Sequence, residues 1–280
     1  KRKLDLVVIS DVHLGTYGCH AKELLLYLKS IQPKKIILNG DIIDIWQFSK
    51  NYFPESHLQV LSYLIKLLSK KTEIFYITGN HDEFLRKFTD YRLGKLHILN
   101  KLILNLEGQK AWFFHGDVFD ITMKNSRWIA KLGGKGYDFL ILLNTLVNYV
   151  LKKLGFGKYS FSKRIKNQVK SAVKFISNFE ETVAEIAIEN KFDYVVCGHI
   201  HQPIIKTIGC KKGNEKVIYL NSGDWVENMT ALEYNKGKWK LYEFENELKN
   251  KQDPEIKEDS KILMNKKMMF EELMKEFHLV

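Results

Sequence analysis

The sequence is poor in cysteine and has no long apolar run, and both absences restrict what the chain can be. Three cysteines among 280 residues supply no disulfide framework, so a reducing compartment is expected. No segment reaches the roughly 20 consecutive apolar residues that a membrane-spanning helix needs. The amino terminus enters an apolar run without the features of a signal peptide, and a cytoplasmic location is therefore expected.

Acidic residues are nearly absent from one stretch of the chain, residues 122–178. Twelve lysines and arginines stand there against a single acid, Asp138, and this excess of eleven equals the formal net charge of +11 of the whole chain. Such a segment is compatible with a nucleic acid, an anionic membrane surface or a phosphorylated substrate. Its charge alone does not choose among them.

Strand and helix patterns alternate in the first part of the chain and give way to strands near its end. Hydrophobic periodicity predicts helices at residues 21–30, 57–69, 125–131, 137–153 and 162–190, and the helix at 137–153 is apolar. It predicts strands at residues 4–10, 35–39, 73–78, 98–106, 111–115, 194–197, 204–208, 216–220, 230–234 and 239–244. The pattern indicates a mixed α/β (α+β) fold in which two sheets pack together with helices outside.

The basic stretch interrupts this plan and divides the chain into three parts. Residues 1–121 and 179–245 are expected to form the core, and residues 122–178 an inserted helical cap. Residues 246–280 form a charged, Met-rich tail, for which docking or dimer formation is favoured over membrane anchoring. A monomer and a homodimer are both compatible with the sequence.

Five short polar motifs follow predicted strands, each just past the carboxyl end of its strand. They are Asp11-Val12-His13, Gly40-Asp41-Ile42-Ile43-Asp44, Gly79-Asn80-His81-Asp82, His115-Gly116-Asp117 and Gly198-His199-Ile200-His201. In open α/β sheets, ligands bind at this edge. Each motif alone is compatible with an ordinary turn, but all five in order predict a shared site.

The residue types in these motifs are those of a site for divalent metal ions. Carboxylates, imidazoles and a side-chain amide oxygen suit Mn, Fe, Zn or Co, whereas oxygen-bound Mg or Ca would not need several histidines. The candidate ligands are too many for one tetrahedral ion and suit two ions that share a carboxylate. Paired ions of this kind clamp the attacking and leaving oxygens of an in-line phosphoryl displacement.

In order and spacing, the motifs resemble those of the calcineurin-like metallophosphoesterase family over residues 4–225. The resemblance implies a four-layer αββα sandwich and two divalent ions, with Mn expected first and Fe, Zn or Co as alternatives. The implied ligands are Asp11, His13 and His201 for one ion, Asn80, His115 and His199 for the other, and Asp41 as the bridge between them.

The same resemblance implies roles for residues that do not bind metal. His81 is expected beside the substrate phosphate, where it would protonate the leaving oxygen or stabilise the transition state. Asp44 would hydrogen-bond this imidazole and fix its orientation. Asp82 and Asp117 are expected in turns or behind the metal ligands.

A closer resemblance is to the UDP-2,3-diacylglucosamine pyrophosphatase branch of lipid A synthesis. The segments that carry it are 10–15, 40–46, 79–86, 136–139 and 221–227. It implies hydrolysis of the diphosphate of a lipid-bearing UDP-sugar to a lipid monophosphate and UMP. The best-known members have arginine at the position of His81, so this chain corresponds to a sister group with the general family motif.

A lipid substrate agrees with the composition of the basic stretch, whose apolar helix would hold acyl chains while its cations contact an anionic membrane surface. The alternative is that this helix packs on the core and its lysines are solvated. Trp225 is interpreted either as a pocket residue or as a packing residue. The candidate substrate contacts are Arg86, Arg127, Trp128 and Trp46.

Two other functions compete with this interpretation. A nuclease or cyclic-nucleotide phosphodiesterase would use the basic stretch for phosphate contacts, but the apolar helix has no evident use in such a groove. A protein-binding scaffold without activity would be expected to lack metal ligands or His81, and this sequence retains all of them.

Overall fold

The computed structural model describes residues 1–45, 52–121, 161–210 and 213–244, and these form two β-sheets with helices on the outer faces. The helices are α1 (Ala21–Ser30), α2 (Glu55–Ser69) and α3 (Phe161–Glu189). The strands are β1 (Arg2–Ile9), β2 (Ile31–Asn39), β3 (Glu73–Ile77), β4 (Arg92–Leu93), β5 (Leu96–Leu99), β6 (Lys101–Leu106), β7 (Gln109–Phe114), β8 (Tyr194–Cys197), β9 (Ile204–Gly209), β10 (Lys216–Asn221), β11 (Thr230–Asn235) and β12 (Lys238–Glu243). Short 3-10 turns occur at Glu83–Phe88 and Asp117–Ile121.

Both sheets are mixed. The larger has seven strands in the order β12-β11-β1-β2-β3-β5-β4, in which β1, β2, β3 and β5 are parallel while β11 and β4 run antiparallel to their neighbours. The smaller has five strands in the order β6-β7-β8-β10-β9. There β7, β8 and β10 are parallel, and β6 and β9 are antiparallel.

The main core lies between the two sheets. It is built from inward-facing residues of both, among them Leu6 and Val8 from β1 and Phe113 and Val196 from β7 and β8. Side chains alternate across a strand, so the buried Val7, which lies between Leu6 and Val8, faces the opposite side of the larger sheet. Parallel strands that are buried on both faces require a covering layer of helices.

A second core lies between the smaller sheet and α3. The helix buries Phe179, Val183 and Ala187 against Val195 and Cys197, so Cys197 is a core residue. On the other side, α1 buries a stripe that includes Leu24 and Leu28 and contacts α2 and β2. The layers are helices, sheet, sheet and helix, so the predicted fold class is confirmed.

The β-rich run predicted at residues 98–106 is divided between two strands. The chain leaves the larger sheet after β5 and enters the smaller sheet with β6. Asn100 stands at the crossing, where its side-chain oxygen accepts a hydrogen bond from Thr78 Oγ1 (3.0 Å). Leu99 before this point and Leu102 after it both pack against the main core, so apolar character alone does not reveal the change of sheet.

The predicted cap falls largely outside the described residues, as does the tail. Its last part belongs to α3, which continues without a break across the predicted boundary at residue 178. Among the helices of the described ranges, none is both long and apolar enough to cross a membrane.

Candidate metal centre

The five motifs converge because the strands that precede them are parallel. β1, β2 and β3 run side by side in one direction, so Asp11, Asp41 and Asn80 follow them at a common edge of the larger sheet. In the smaller sheet, β7 and β8 are parallel and bring His115 and His199 to the same level. Sheet geometry therefore gathers residues from five separate sequence segments.

Five of the candidate ligands occupy the left-handed backbone region, although none is glycine. Their φ angles are 51° for Asp11, 52° for His13, 53° for Asp41, 66° for His199 and 53° for His201. This conformation costs an L-residue about 1–2 kcal/mol, and asparagine, aspartate and histidine adopt it more often than other residues. Strain of this kind clusters at functional sites, where the surrounding fold enforces it.

Three motif glycines, Gly40, Gly79 and Gly198, leave no room for a side chain, and this brings neighbouring motifs into close contact. A Cβ atom at Gly79 would lie 2.2 Å from Asp41 Oδ1 and 2.7 Å from the Asp41 backbone nitrogen. A Cβ atom at Gly198 would lie 2.6 Å from Asp11 Oδ2. The carboxylates of Asp11 and Asp41 therefore lie directly against the backbone of motifs from other strands.

The candidate ligands form three overlapping groups among the described residues. Within each group, one ligand atom from every residue lies within 4.8 Å of the others. Two groups correspond to the two predicted ion positions, and the third brings His81 next to residues of both. The groups are Asp11, His13 and His201; Asp41, His115 and His199; and His13, Asp41 and His81.

Two buried atoms indicate that this donor set fits a divalent cation. The Nδ1 atom of His115 lies 2.8 Å from the Asn39 carbonyl oxygen, to which its N–H donates, so Nε2, 3.2 Å from Asp41 Oδ2, is the ring nitrogen available to an ion. Metal-binding histidines commonly have their other ring nitrogen fixed in this way. The side-chain oxygen of Asn80 is buried and accepts no hydrogen bond from the residues described, a costly state that coordination of an ion would relieve.

Carboxylates and imidazoles oppose one another across the site. Burial lowers the pKa of the His115 imidazole, but the Asp41 carboxylate outweighs it and the pKa rises to about 10. Burial likewise lowers the pKa of His201, while Asp11 and then Asp224 raise it well above its usual value. Burial raises the pKa of both Asp11 and Asp41, yet the facing imidazoles hold each well below its usual range. The site therefore attracts positive charge, as protons or as divalent cations.

Asp44 connects the predicted ion site to His81. The Oδ2 atom of this buried carboxylate lies 2.8 Å from His81 Nδ1 and 3.2 Å from His13 Nδ1. The rings of His13 and His81 meet edge to face, with centroids 4.6 Å apart, and the His81 backbone N–H donates to Asp41 Oδ1 (2.8 Å). The contact expected between Asp44 and His81 is present, and the contact between Asp44 and His13 was not predicted.

Sequence analysis assigned no role to Asp224, yet this fully buried carboxylate lies behind His201. Its Oδ2 atom is 3.5 Å from His201 Nδ1, and its Oδ1 atom accepts the backbone N–H groups of Val226, Glu227 and Asn228. The Asn228 side chain donates to the His201 carbonyl (3.0 Å). Carboxylates behind metal-binding histidines orient the ring. The sequence feature that could have indicated this role of Asp224 is the polar Asn-Ser-Gly-Asp run at the carboxyl end of β10.

The remaining motif aspartates support the loops. Asp82 accepts the N–H groups of Gly79 (2.6 Å) and Ile42 (2.9 Å), so it joins the loops after β3 and β2. Burial raises the pKa of this carboxyl group. Asp117 forms an ion pair with Arg86, which holds the guanidinium of this predicted substrate contact at the His115-Gly116-Asp117 loop.

The other predicted substrate contacts, Trp46, Arg127 and Trp128, lie outside the described residues. Trp225 is fully buried, with its ring centroid 5.5 Å from that of Tyr27. Of the two interpretations of Trp225, the structure favours packing.

Comparison with known proteins decides the family. The sequence matches the family model described as calcineurin-like phosphoesterase over residues 4–203, which is more than half of the chain. The chain belongs to the calcineurin-like phosphoesterase family. It is thus a metal-dependent phosphoester hydrolase, as predicted, and the family implies divalent ions at the residue groups described above.

Relatives of known name agree with this class. The chain is 24% identical over 252 residues to the UDP-2,3-diacylglucosamine hydrolase of Blochmanniella pennsylvanica, a match that covers 83% of this chain and 92% of that protein. It is also 24% identical over 233 residues to the enzyme of the same name from Vibrio cholerae. This match covers 81% of this chain and 93% of that protein.

Solved structures of related fold were also found. One is an archaeal phosphodiesterase with a TM-score of 0.42 and 12% identity, covering 85% of this chain and 98% of that one. Another is a dimetal phosphatase from Danio rerio with a TM-score of 0.40 and 11% identity. This match covers 85% of this chain and 95% of the phosphatase chain.

Proposed function

We propose that the chain hydrolyses the diphosphate of UDP-2,3-diacylglucosamine to 2,3-diacylglucosamine 1-phosphate and UMP. The reaction uses two divalent ions, and Mn is the favoured metal. The observation that carries the hydrolysis is the convergence of the motif side chains into overlapping ion-binding groups. Support for this substrate comes from relatives of that name that align with more than four-fifths of the chain, beyond the region of the family match.

In this proposal, each side chain of the centre has one task. Asp11, His13 and His201 would hold one ion, Asn80, His115 and His199 would hold the other, and Asp41 would serve both. Bound ions polarise the phosphoryl oxygens and lower the pKa of water at the site. Asp224 and the Asn39 carbonyl orient the rings of His201 and His115 from behind.

His81 is the proposed general acid. Its Nδ1 atom lies against Asp44, so we assign Nε2 to the substrate, where it donates a proton to the oxygen of the departing phosphate. Asp44 positions the ring. Arg86 is held close to the site by Asp117, and we propose that it contacts the diphosphate, with Trp46, Arg127 and Trp128 as further contacts.

We also propose that the protein works in the cytoplasm and contacts an anionic membrane surface, where its lipid substrate resides. The basic stretch supports this proposal. A second support is a row of exposed apolar side chains that begins three residues after His81. Phe84, Phe88 and Tyr91 form successive edge-to-face pairs with centroids 5.9 and 6.2 Å apart, and aromatic side chains of this kind are favoured at lipid interfaces.

The test is turnover of UDP-2,3-diacylglucosamine in detergent with added Mn, measured as UMP release. Bis-p-nitrophenyl phosphate and single-stranded DNA serve as competing substrates, and His81→Ala as the inactive control. Efficient UMP release with slow action on the other two supports the proposal. Hydrolysis of the generic ester or of DNA without UMP release would reject the substrate while retaining the metal-dependent hydrolase.

A further inference from the structure

Two tyrosines form a close, tilted pair between the loop after β1 and the segment before α2, and none of the roles above uses them. Tyr17 follows the Asp11-Val12-His13 motif, and Tyr52 precedes α2. Their ring centroids are 3.8 Å apart, and their planes are inclined by 35°. Tyr52 is half-buried, whereas Tyr17 keeps 55% of its surface exposed, so this ring contributes less to packing than a core tyrosine does.

The loop that carries Tyr17 is anchored to its surroundings. The backbone N–H of Gly15 donates to His57 Nδ1 on α2 (2.9 Å), and His57 is itself buried. The ring of Tyr52 meets the same imidazole edge to face, with centroids 6.0 Å apart. One buried histidine therefore contacts both the loop of Tyr17 and the ring of Tyr52, which favours a preorganised pair.

The pair also lies within reach of the ion-binding residues. The backbone N–H and the hydroxyl of Thr16 both donate to the His13 carbonyl, at 3.1 and 2.9 Å. A turn of this type brings its first and fourth Cα atoms within about 7 Å, and the next Cα atom is about 3.8 Å further on. The Cα atom of Tyr17 is therefore within about 11 Å of that of His13.

We propose that Tyr17, supported from behind by Tyr52, is a stacking platform for the base of a nucleotide whose phosphate lies at the metal centre. This inference rests on the proposed function, because it requires a nucleoside phosphate as substrate or product. A flat, uncharged aromatic ring with an exposed surface suits a planar base, since stacking on aromatic side chains tolerates every base. The platform thus contributes affinity for a nucleoside without selecting uracil.

The experiment measures binding of UMP and ribose 5-phosphate to the full chain loaded with Mn, by titration calorimetry. The two probes share the phosphate and the sugar, so the ratio of their dissociation constants isolates the base. We expect UMP to bind about fivefold more tightly or better, the lower end of what one stacked base contributes. Tyr17→Ala should reduce this ratio to nearly one, while Tyr17→Trp should maintain or increase it. Tyr91→Ala, which removes an exposed tyrosine elsewhere, should leave the ratio unchanged.

The possible outcomes test the stacking platform independently of the proposed hydrolase activity. If Tyr17→Ala retains the preference for UMP, the base binds elsewhere and the platform is rejected, while a nucleotide substrate stands. If the unaltered chain binds both probes equally, the platform is also rejected. Release of UMP from the lipid substrate is measured independently, so loss of the platform does not count against that activity. Circular dichroism of each variant excludes misfolding as the cause.

Discussion

Replacing Gly79 with alanine tests whether close contact between two motifs builds the metal centre. The new Cβ atom would lie 2.2 Å from Asp41 Oδ1 and 2.7 Å from the Asp41 backbone nitrogen, whereas even close carbon–oxygen contacts are about 3.3 Å. Because a backbone atom is among the neighbours, rotation of one side chain does not relieve the clash, and the two loops must separate by roughly 1 Å.

The matched control is Gly213→Ala, since nothing lies within 4 Å of a Cβ atom there. Overpacking costs about 1–3 kcal/mol, whereas alanine at an unstrained glycine site adds about 0.4–1 kcal/mol of stability. We therefore expect the free energy of unfolding of the metal-free variants to differ by roughly 1.4–4 kcal/mol, in favour of Gly213→Ala.

Urea denaturation measures this difference, and turnover of bis-p-nitrophenyl phosphate reports the consequence for the site. A displacement of 1 Å near reacting groups lowers activity by about 100-fold, so Gly79→Ala should be nearly inactive while Gly213→Ala is unaffected. Equal stability and equal turnover of the two variants would show that the loops tolerate the extra atom and that the close contact is not required.

The other predictions concern single side chains. His81→Ala should reduce turnover by about 100-fold or more with metal content unchanged, measured by elemental analysis; loss of an ion would show that His81 is a ligand. Asp224→Asn should weaken Mn affinity by about 10- to 100-fold, whereas Glu227→Gln in the same loop should not; equal affinities would remove Asp224 from the site. Burial lowers the pKa of His57, so its neutral form stabilises the fold above the unfolded pKa of about 6.5, and this contribution is lost as the pH falls through the folded value. The loss of unfolding free energy between pH 7 and pH 5 should therefore be smaller in His57→Gln, and an equal loss in both proteins would contradict this role.

Much of the site was predictable because parallel strands obey a simple rule. Polar residues that follow such strands meet at one edge, so Asp11, Asp41 and Asn80 were expected to lie together before any coordinates were known. Residue type then indicated metal binding. The assignment of Asp44 to His81 came from family resemblance, and the observed contact agrees with it.

The features that escaped prediction depend on tertiary contacts. The crossing at Asn100 was not predicted because apolar residues on both sides of it pack against one core. Asp224 was overlooked because its partner, His201, is 23 residues away in sequence and belongs to another loop. The platform of Tyr17 and Tyr52 joins two loops that share no motif, and only the fold brings their rings together.

The left-handed conformation of five candidate ligands has a consequence for any attempt to make this protein more heat-resistant. Glycine would adopt the same angles without the steric cost, so selection for folding alone should favour its appearance at positions such as Asp11 and His13. Each such gain would remove an ion-binding side chain, a conflict between stability and activity that is common in enzymes. Directed evolution of this chain therefore needs a hydrolysis screen in every round, because survival of heating alone would enrich inactive proteins.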